Sequence, residues 1–231
     1  MNSKVFLKKT INTFLTLNLS FINYSKIYNK KNFLFTFLSK FIWFVPSNFQ
    51  ALYWKNSENI AHGHSHFIEM DDTALLLKKE ICNYATKGDK ILDVCCSVGR
   101  MLNSLNQEGF SNLYGFDINK TAIDQNKKIF NKFNNVNLAC NSAEEYLPTK
   151  ANNEFDIVFS LSASLELIPA SFPLIKEISR ITKKYFICII DENGHAYPRF
   201  WVYEFKKNNF KIIKNHKINQ TLTLFVLKKM K

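Results

Sequence analysis

The residues best placed to do chemistry are two carboxylates and the small residues that follow the first. Lys90-Ile91-Leu92-Asp93-Val94-Cys95-Cys96-Ser97-Val98-Gly99-Arg100 runs from an apolar strand through Asp93 into a loop of small side chains that ends at Gly99. Downstream, Tyr114-Gly115-Phe116-Asp117 closes a second apolar strand on a second carboxylate. A βαβ unit of this kind holds nucleoside-like ligands. Small loop residues let the ligand reach the backbone, and the second acid accepts hydrogen bonds from both ribose hydroxyls. His62, His64 and His66 would share one side of an extended chain. No Cys or carboxylate stands near them at a familiar ligand spacing, so a polar loop is the first reading, a substrate contact the second and a metal site the third. No metal is expected.

Those carboxylates need a sheet to hold them. Apolar runs at 90–95, 112–117, 136–140, 155–161, 185–190, 210–216 and 221–228 read as strands. Helical periodicity fits residues 73–85, 99–107, 120–132, 171–182 and 197–208. The alternation predicts an α/β fold: a doubly wound, seven-stranded, mostly parallel sheet. The last two strands are joined too tightly for a helical crossover, so the terminal strand should be antiparallel. Residues 1–60 read as a basic, apolar helical extension. One stripe runs through Val5, Phe6, Leu7, Ile11, Phe14, Leu15 and Leu19, and another from Phe33 to Phe44. Residues 61–231 form the domain proper. The extension is either a cap packed on the core or a lid that faces substrate or a membrane.

The net charge of +12 belongs to the ends of the chain. Residues 1–57 carry eight Lys and no acid, and residues 205–231 carry eight more, again with no acid. A Lys-rich solvated surface explains this first, and an anionic membrane face or nucleic acid second. The five Cys form no C-x-x-C pair and read as reduced thiols, which predicts a cytoplasmic protein, peripheral to a membrane if the extension binds one. The apolar stretch from Phe33 to Val45 is too short to span a bilayer.

The ordered set of motifs resembles the class I S-adenosylmethionine-dependent methyltransferases across residues 73–228. That family's first motif is an acid followed by three alternating glycines; here Asp93, Cys95, Ser97 and Gly99 stand at the four positions. Asp117 corresponds to the ribose-binding acid, and Ile118 after it to a residue that packs on adenine. Asn141-Ser142-Ala143-Glu144 resembles the loop after strand three, with Ser142 where an Asp often reads the adenine amino group and Ala143 offering its amide. Leu165-Glu166-Leu167-Ile168-Pro169 resembles the turn after strand four, without its usual His. The resemblance implies S-adenosyl-L-methionine as cofactor, held by Asp93, Cys95, Ser97, Gly99, Asp117, Ile118, Ser142 and Ala143.

It also implies in-line methyl transfer, in which a hydroxyl or protonated amine acceptor needs a base. His195, in the cluster Asp191, Glu192, His195 and Tyr197 after strand five, has the most suitable intrinsic pKa and is the first catalytic candidate. Glu166 is the second, unless it merely faces solvent on a turn. Ser160-Leu161-Ser162-Ala163 stands where amino-methylating nucleic-acid enzymes carry Asn/Asp-Pro-Pro-Tyr, which counts against base methylation. The expected acceptor is therefore a small molecule, a saccharide or a lipid-linked group. The alternatives are an RNA or protein methyltransferase docking through the Lys-rich ends, and a cofactor-binding protein without catalysis.

Overall fold

Asp71 starts the first long helix. Its carboxylate accepts from the Ala74 amide at 2.8 Å, and helix α1 (Asp72–Tyr84) follows, burying Ala74, Leu77 and Ile81 along one stripe. The structure, a computed structural model, describes residues 3, 5–11, 51, 54–55, 68–129, 136–162, 164–192 and 196–230. Residues 5–11 are helical, which covers the start of the first apolar stripe. The rest of that stripe, the stretch from Phe33 to Phe44, the histidines 62, 64 and 66, and the candidate His195 lie outside the described residues.

After α1 come β1 (Ile91–Val94), α2 (Arg100–Gln107), β2 (Leu113–Asp117), α3 (Lys120–Ile129), β3 (Val136–Cys140), α4 (Ala143–Tyr146), β4 (Phe155–Ser160), α5 (Leu174–Ile181), β5 (Thr182–Asp191), α6 (Trp201–Lys207), β6 (Phe210–Lys217) and β7 (Leu222–Lys229). They form one seven-stranded sheet in the order β3-β2-β1-β4-β5-β7-β6. Strands β1 to β5 pair in parallel, and β7 lies antiparallel between β5 and β6. The expected fold class holds, with the antiparallel strand inserted one place in from the sheet's edge.

Both faces of the sheet are covered, which is why its central strands are apolar throughout. Leu92, Val94, Phe186, Cys188 and Ile190 pack with α5 and α6 residues such as Ile178 and Phe205. Ile91, Ile187 and Ile189 pack on the other face with Leu77, Ile81, Leu102 and Leu105 from α1 and α2. The strand order reverses between β1 and β4, so ligands are expected where the chain leaves the carboxyl ends of those strands.

Three elements start three or more residues away from the sequence reading. Helix α5 starts at Leu174 because Pro169 and Pro173 hold residues 169–173 in a turn, with the Phe172 amide bonded to the Pro169 carbonyl. Helix α6 starts at Trp201, after an extended stretch containing Pro198 and the buried Arg199. Strand β5 starts at Thr182, directly from the last turn of α5; the Thr182 hydroxyl donates back to the Ile178 carbonyl.

A cofactor cleft at the carboxyl ends of the strands

The β1–α2 loop takes its shape from left-handed backbone. Cys95, Ser97 and Gly99 have φ of 61°, 50° and 77°. These are the three positions where the motif expects glycine, so two of them carry side chains in a conformation that costs an L-residue about 1–2 kcal/mol. Buried side chains tie the loop's carbonyls down from beneath. Ser160 Oγ donates to the Val94 carbonyl at 3.1 Å, Asn126 Nδ2 to Val98 at 2.6 Å, and Asn103 Nδ2 to Gly99 at 2.8 Å. Gly115 on β2 gives the loop room, since a Cβ there would lie 2.6 Å from Leu102 Cδ1 and 2.9 Å from Cys96 Sγ. A Cβ at Gly99 would meet Asn126 Nδ2 at 2.6 Å.

Asp117 joins the loop to the end of β2. Its Oδ2 accepts from the Ser97 amide at 2.8 Å and its Oδ1 from the Asn119 amide at 2.9 Å, while the residue stays half-exposed. Asn119 in turn caps α3 by accepting from the Ala122 amide at 3.0 Å. Ile118 is half-buried beside them. Ser142 Oγ accepts from the Glu145 amide and Glu145 Oε2 from the Ser142 amide, a reciprocal cap that starts the short helix α4, which the sequence reading did not contain. Ala143 is buried at the first position of that helix.

The electrostatics of the cleft are acidic. Asp93 is 3% exposed, and no hydrogen-bond donor among the described residues reaches its carboxylate. Burial pushes its pKa well above the ordinary carboxylate value, the Asp117 charge adds to the rise, and Arg100 opposes it. Burial also raises the Cys95 thiol, and the charges of Asp117, Glu144, Asp93 and Glu166 raise it further. Cys95 therefore lies in the field of the nearby carboxylates, Asp117 first among them. A cation placed there would relieve the repulsion and hold Asp93 ionised. S-adenosylmethionine fits this site, because its sulfonium and ammonium are cationic and its ribose offers two hydroxyl donors.

At the β4–β5 end the polar groups are buried. Glu166 is fully enclosed, which sets aside the alternative that it faces solvent on a turn: the 165–167 turn folds under residues 196–199, and the Tyr197 amide bonds to the Glu166 carbonyl. Glu166 Oε1 accepts from the Asp191 amide, and its Oε2 has no partner among the described residues. Burial lifts its pKa to about 8. Arg199 is 1% exposed and fastens the same turn, with Nη1 donating to the Leu165 carbonyl and Nη2 to those of Ile168 and Pro169, each at 3.0 Å. Sequence reasoning missed Arg199, Asn103, Asn119, Asn126 and Ser160. The one signal available was a polar side chain at a core-facing position, as with Asn103 on α2.

The described parts of the extension lie on this same edge. Phe6 packs edge-on against Phe200 with ring centroids 5.7 Å apart, and the buried Lys9 ammonium lies 5.9 Å from the same ring and feels the Glu192 charge. Asn119 Nδ2 donates to the Trp54 carbonyl at 2.8 Å, two residues beyond Asp117. The extension therefore touches both the cofactor end and the β5 end of the cleft. Among the described residues no group of His, Cys, Asp and Glu could hold a metal, and no helix is long and apolar enough to cross a membrane.

A family profile described as a methyltransferase domain matches residues 85–225. The chain belongs to this methyltransferase family, whose methyl donor is S-adenosylmethionine. Solved structures share the fold at low identity. A SAM-dependent methyltransferase from Aquifex aeolicus is 14% identical with a TM-score of 0.58, over 72% of this chain and 97% of that one. Magnesium protoporphyrin IX methyltransferase from Synechocystis, with bound SAM, is 15% identical with a TM-score of 0.59, over 80% and 97%. The cyclase SpnF is 11% identical with a TM-score of 0.57, over 67% and 80%. No curated protein matches the sequence.

Proposed function

We propose that the protein methylates a small-molecule, saccharide or lipid-linked acceptor that enters beneath residues 5–11 and lies against the β4–β5 end. The observation that carries this reading is that the extension touches both ends of the cleft: Phe6 and Lys9 meet Phe200 at the start of α6, and the Trp54 carbonyl accepts from Asn119 beside Asp117. A cleft whose two ends are bordered by the chain's own extension suits a compact acceptor better than a folded RNA or protein. The exposed Phe6 and Leu7 beside Lys8 would suit an acceptor carried in an anionic membrane surface. The free cysteines agree with a cytoplasmic, reducing site of action.

The cofactor supplies an already activated methyl group, so the chain's task is to position, exclude water and accept a proton. Asp117 holds the ribose and the loop together. Asp93 meets the cationic methionyl end, with Cys95, Ser97 and Gly99 bringing the backbone close and Ile118, Ser142 and Ala143 flanking the adenine. His195 is our candidate for taking the acceptor's proton. Glu166 touches the Asp191 amide rather than the open cleft, so we assign it a positioning role on the loop that carries His195.

Incubating the protein with methyl-labelled cofactor and fractionated cell extract tests the acceptor. Label should enter the polar small-molecule or lipid fraction. Label confined to RNA or protein would overturn the reading, and cofactor binding with no label in any fraction would favour a protein that binds without transfer.

A further inference from the structure

A second pocket lies far from the cleft, at the amino-terminal edge of the parallel strands. Helices α5 and α6 end there, and so does β7, whose Lys228 and Lys229 pair with Tyr185 near the start of β5 and Phe210 at the start of β6. The cavity measures about 450 Å³, and its lining includes Lys176, Ser179, Arg180, Glu204, Lys207 and Lys229. Arg180 is already satisfied by Glu177 and by the carbonyls of Lys150 and Leu147. Lys176, Lys207 and Lys229 form no ion pair among the described residues.

Lys229 is the telling member. It is half-buried, burial lowers its pKa, and its ammonium donates to Ser179 Oγ, which itself donates to the Asn208 carbonyl. An ammonium has three donors, and a partly desolvated one without a counter-ion is unfavourable unless an anion meets it. The ends of α5 and α6 attract cations, and Lys206 and Lys207 in the last turn of α6 answer that dipole. A half-charge at each helix end does not call for three lysines lining one pocket, although the Phe210 ring, 5.7 Å from the Lys229 ammonium, takes part of that charge. Glu204 is 2% exposed and its Oε1 has no partner among the described residues, so a ligand that brings a hydroxyl or an acidic proton would satisfy it. Monohydrogen phosphate carries both features near neutrality, negative oxygens for the lysines and a proton for the carboxylate, and a phosphomonoester carries them in its singly protonated form.

We propose that this pocket binds a phosphate group, either free inorganic phosphate or the phosphomonoester headgroup of a lipid. The site is independent of the methyltransferase cleft, which lies at the opposite edge of the sheet.

The full chain should be titrated with inorganic phosphate by calorimetry, against chloride at matched ionic strength, and sedimented with phosphatidylcholine vesicles with and without phosphatidic acid. Phosphate heat that chloride does not give, weakened about tenfold in Lys229→Met and at least threefold in Lys207→Gln, assigns the free ion. Vesicle binding that requires phosphatidic acid and falls in the same variants assigns the headgroup. Lys207 is exposed, so Lys207→Gln should fold normally and keep wild-type affinity for S-adenosylmethionine. No phosphate-specific binding in either arm, or binding unchanged in both variants, would overturn the proposal.

Discussion

At the β1–β2 end of the cleft, Asp117 meets the Ser97 and Asn119 amides and stays half-exposed, whereas at the β4–β5 end Glu166 and Arg199 are enclosed. The first arrangement is local: an acid, a short loop and a helix start within about one βαβ unit, open to a ligand that completes it. The second is long-range, and the chain completes it alone, with residues 165–169 clamped by Arg199 and residue 191 held by Glu166. In the reading proposed above, the β1–β2 end binds and releases the cofactor, and the β4–β5 end holds a loop still. Removing a polar group should therefore cost affinity at one end and stability at the other.

The largest expected effect is at the β4–β5 end. Arg199→Met would leave the Leu165, Ile168 and Pro169 carbonyls without their donor in a buried setting and should cost about 3–5 kcal/mol of unfolding free energy. Urea denaturation measures it. A loss below about 1 kcal/mol would mean that water or another donor replaces the guanidinium, and the contrast between the two ends would fail. Next comes Asp117→Asn, which places an NH₂ group where a carboxylate oxygen now accepts. Cofactor affinity should fall about 30- to 150-fold, equivalent to about 2–3 kcal/mol. Because Asp117 also holds two backbone amides, truncation to Ala should lower stability as well, by about 1–3 kcal/mol. Unchanged cofactor affinity in both variants would remove Asp117 from the ribose.

Glu166 sharpens the comparison through pH. Its folded pKa of about 8 lies above the ordinary 4.5. Between those values the native state keeps a proton that the unfolded chain has released, so stability falls as pH rises. The contribution is complete below the ordinary carboxylate value and is lost as pH climbs through the folded one. Between pH 6 and 8 the loss from this group is about 2 kcal/mol. Glu166→Gln keeps the acceptor for the Asp191 amide without the titration, so its stability should vary less over that interval. Parallel pH profiles for wild type and variant would refute the buried-acid account.

How far the sequence could be read follows the same division. Strands and the doubly wound class were legible because a two-faced sheet writes itself as short apolar runs between helices, and Asp93 and Asp117 stood out because each ends such a run. The left-handed backbone at Cys95 and Ser97 was foreseeable only through the glycines the motif expects there. The clamps were not legible. Asn103, Asn126 and Ser160 are ordinary polar letters until folding brings them beneath the Val94, Val98 and Gly99 carbonyls, and Arg199 acts on a turn 30 residues earlier in the chain. Side chain–backbone bonds of that range leave no spacing to detect. The prolines at 169, 173 and 198 marked the late starts of α5 and α6, but the apolar periodicity on either side of them outweighed that signal.

The smallest effect tests the strained loop and separates two residues that look alike in sequence. Ser97→Gly removes a side chain from a φ of 50° and loses no hydrogen bond made by the hydroxyl within the described protein. Relief of about 1–2 kcal/mol is set against the extra freedom glycine gives the unfolded chain, so the net gain should be about 0.5–1 kcal/mol. Cys95 has a φ of 61° but also packs against the core cluster around Leu92 and Phe116. Cys95→Gly loses that contact, worth about 1 kcal/mol for a small apolar side chain, and should come out near neutral. Urea denaturation of both variants, with cofactor titration alongside, distinguishes strain from contact. If Ser97→Gly gains stability and keeps its affinity, the hydroxyl is a passenger on a glycine position. If it gains stability but binds cofactor more weakly, the hydroxyl makes a contact that offsets the strain of holding it there.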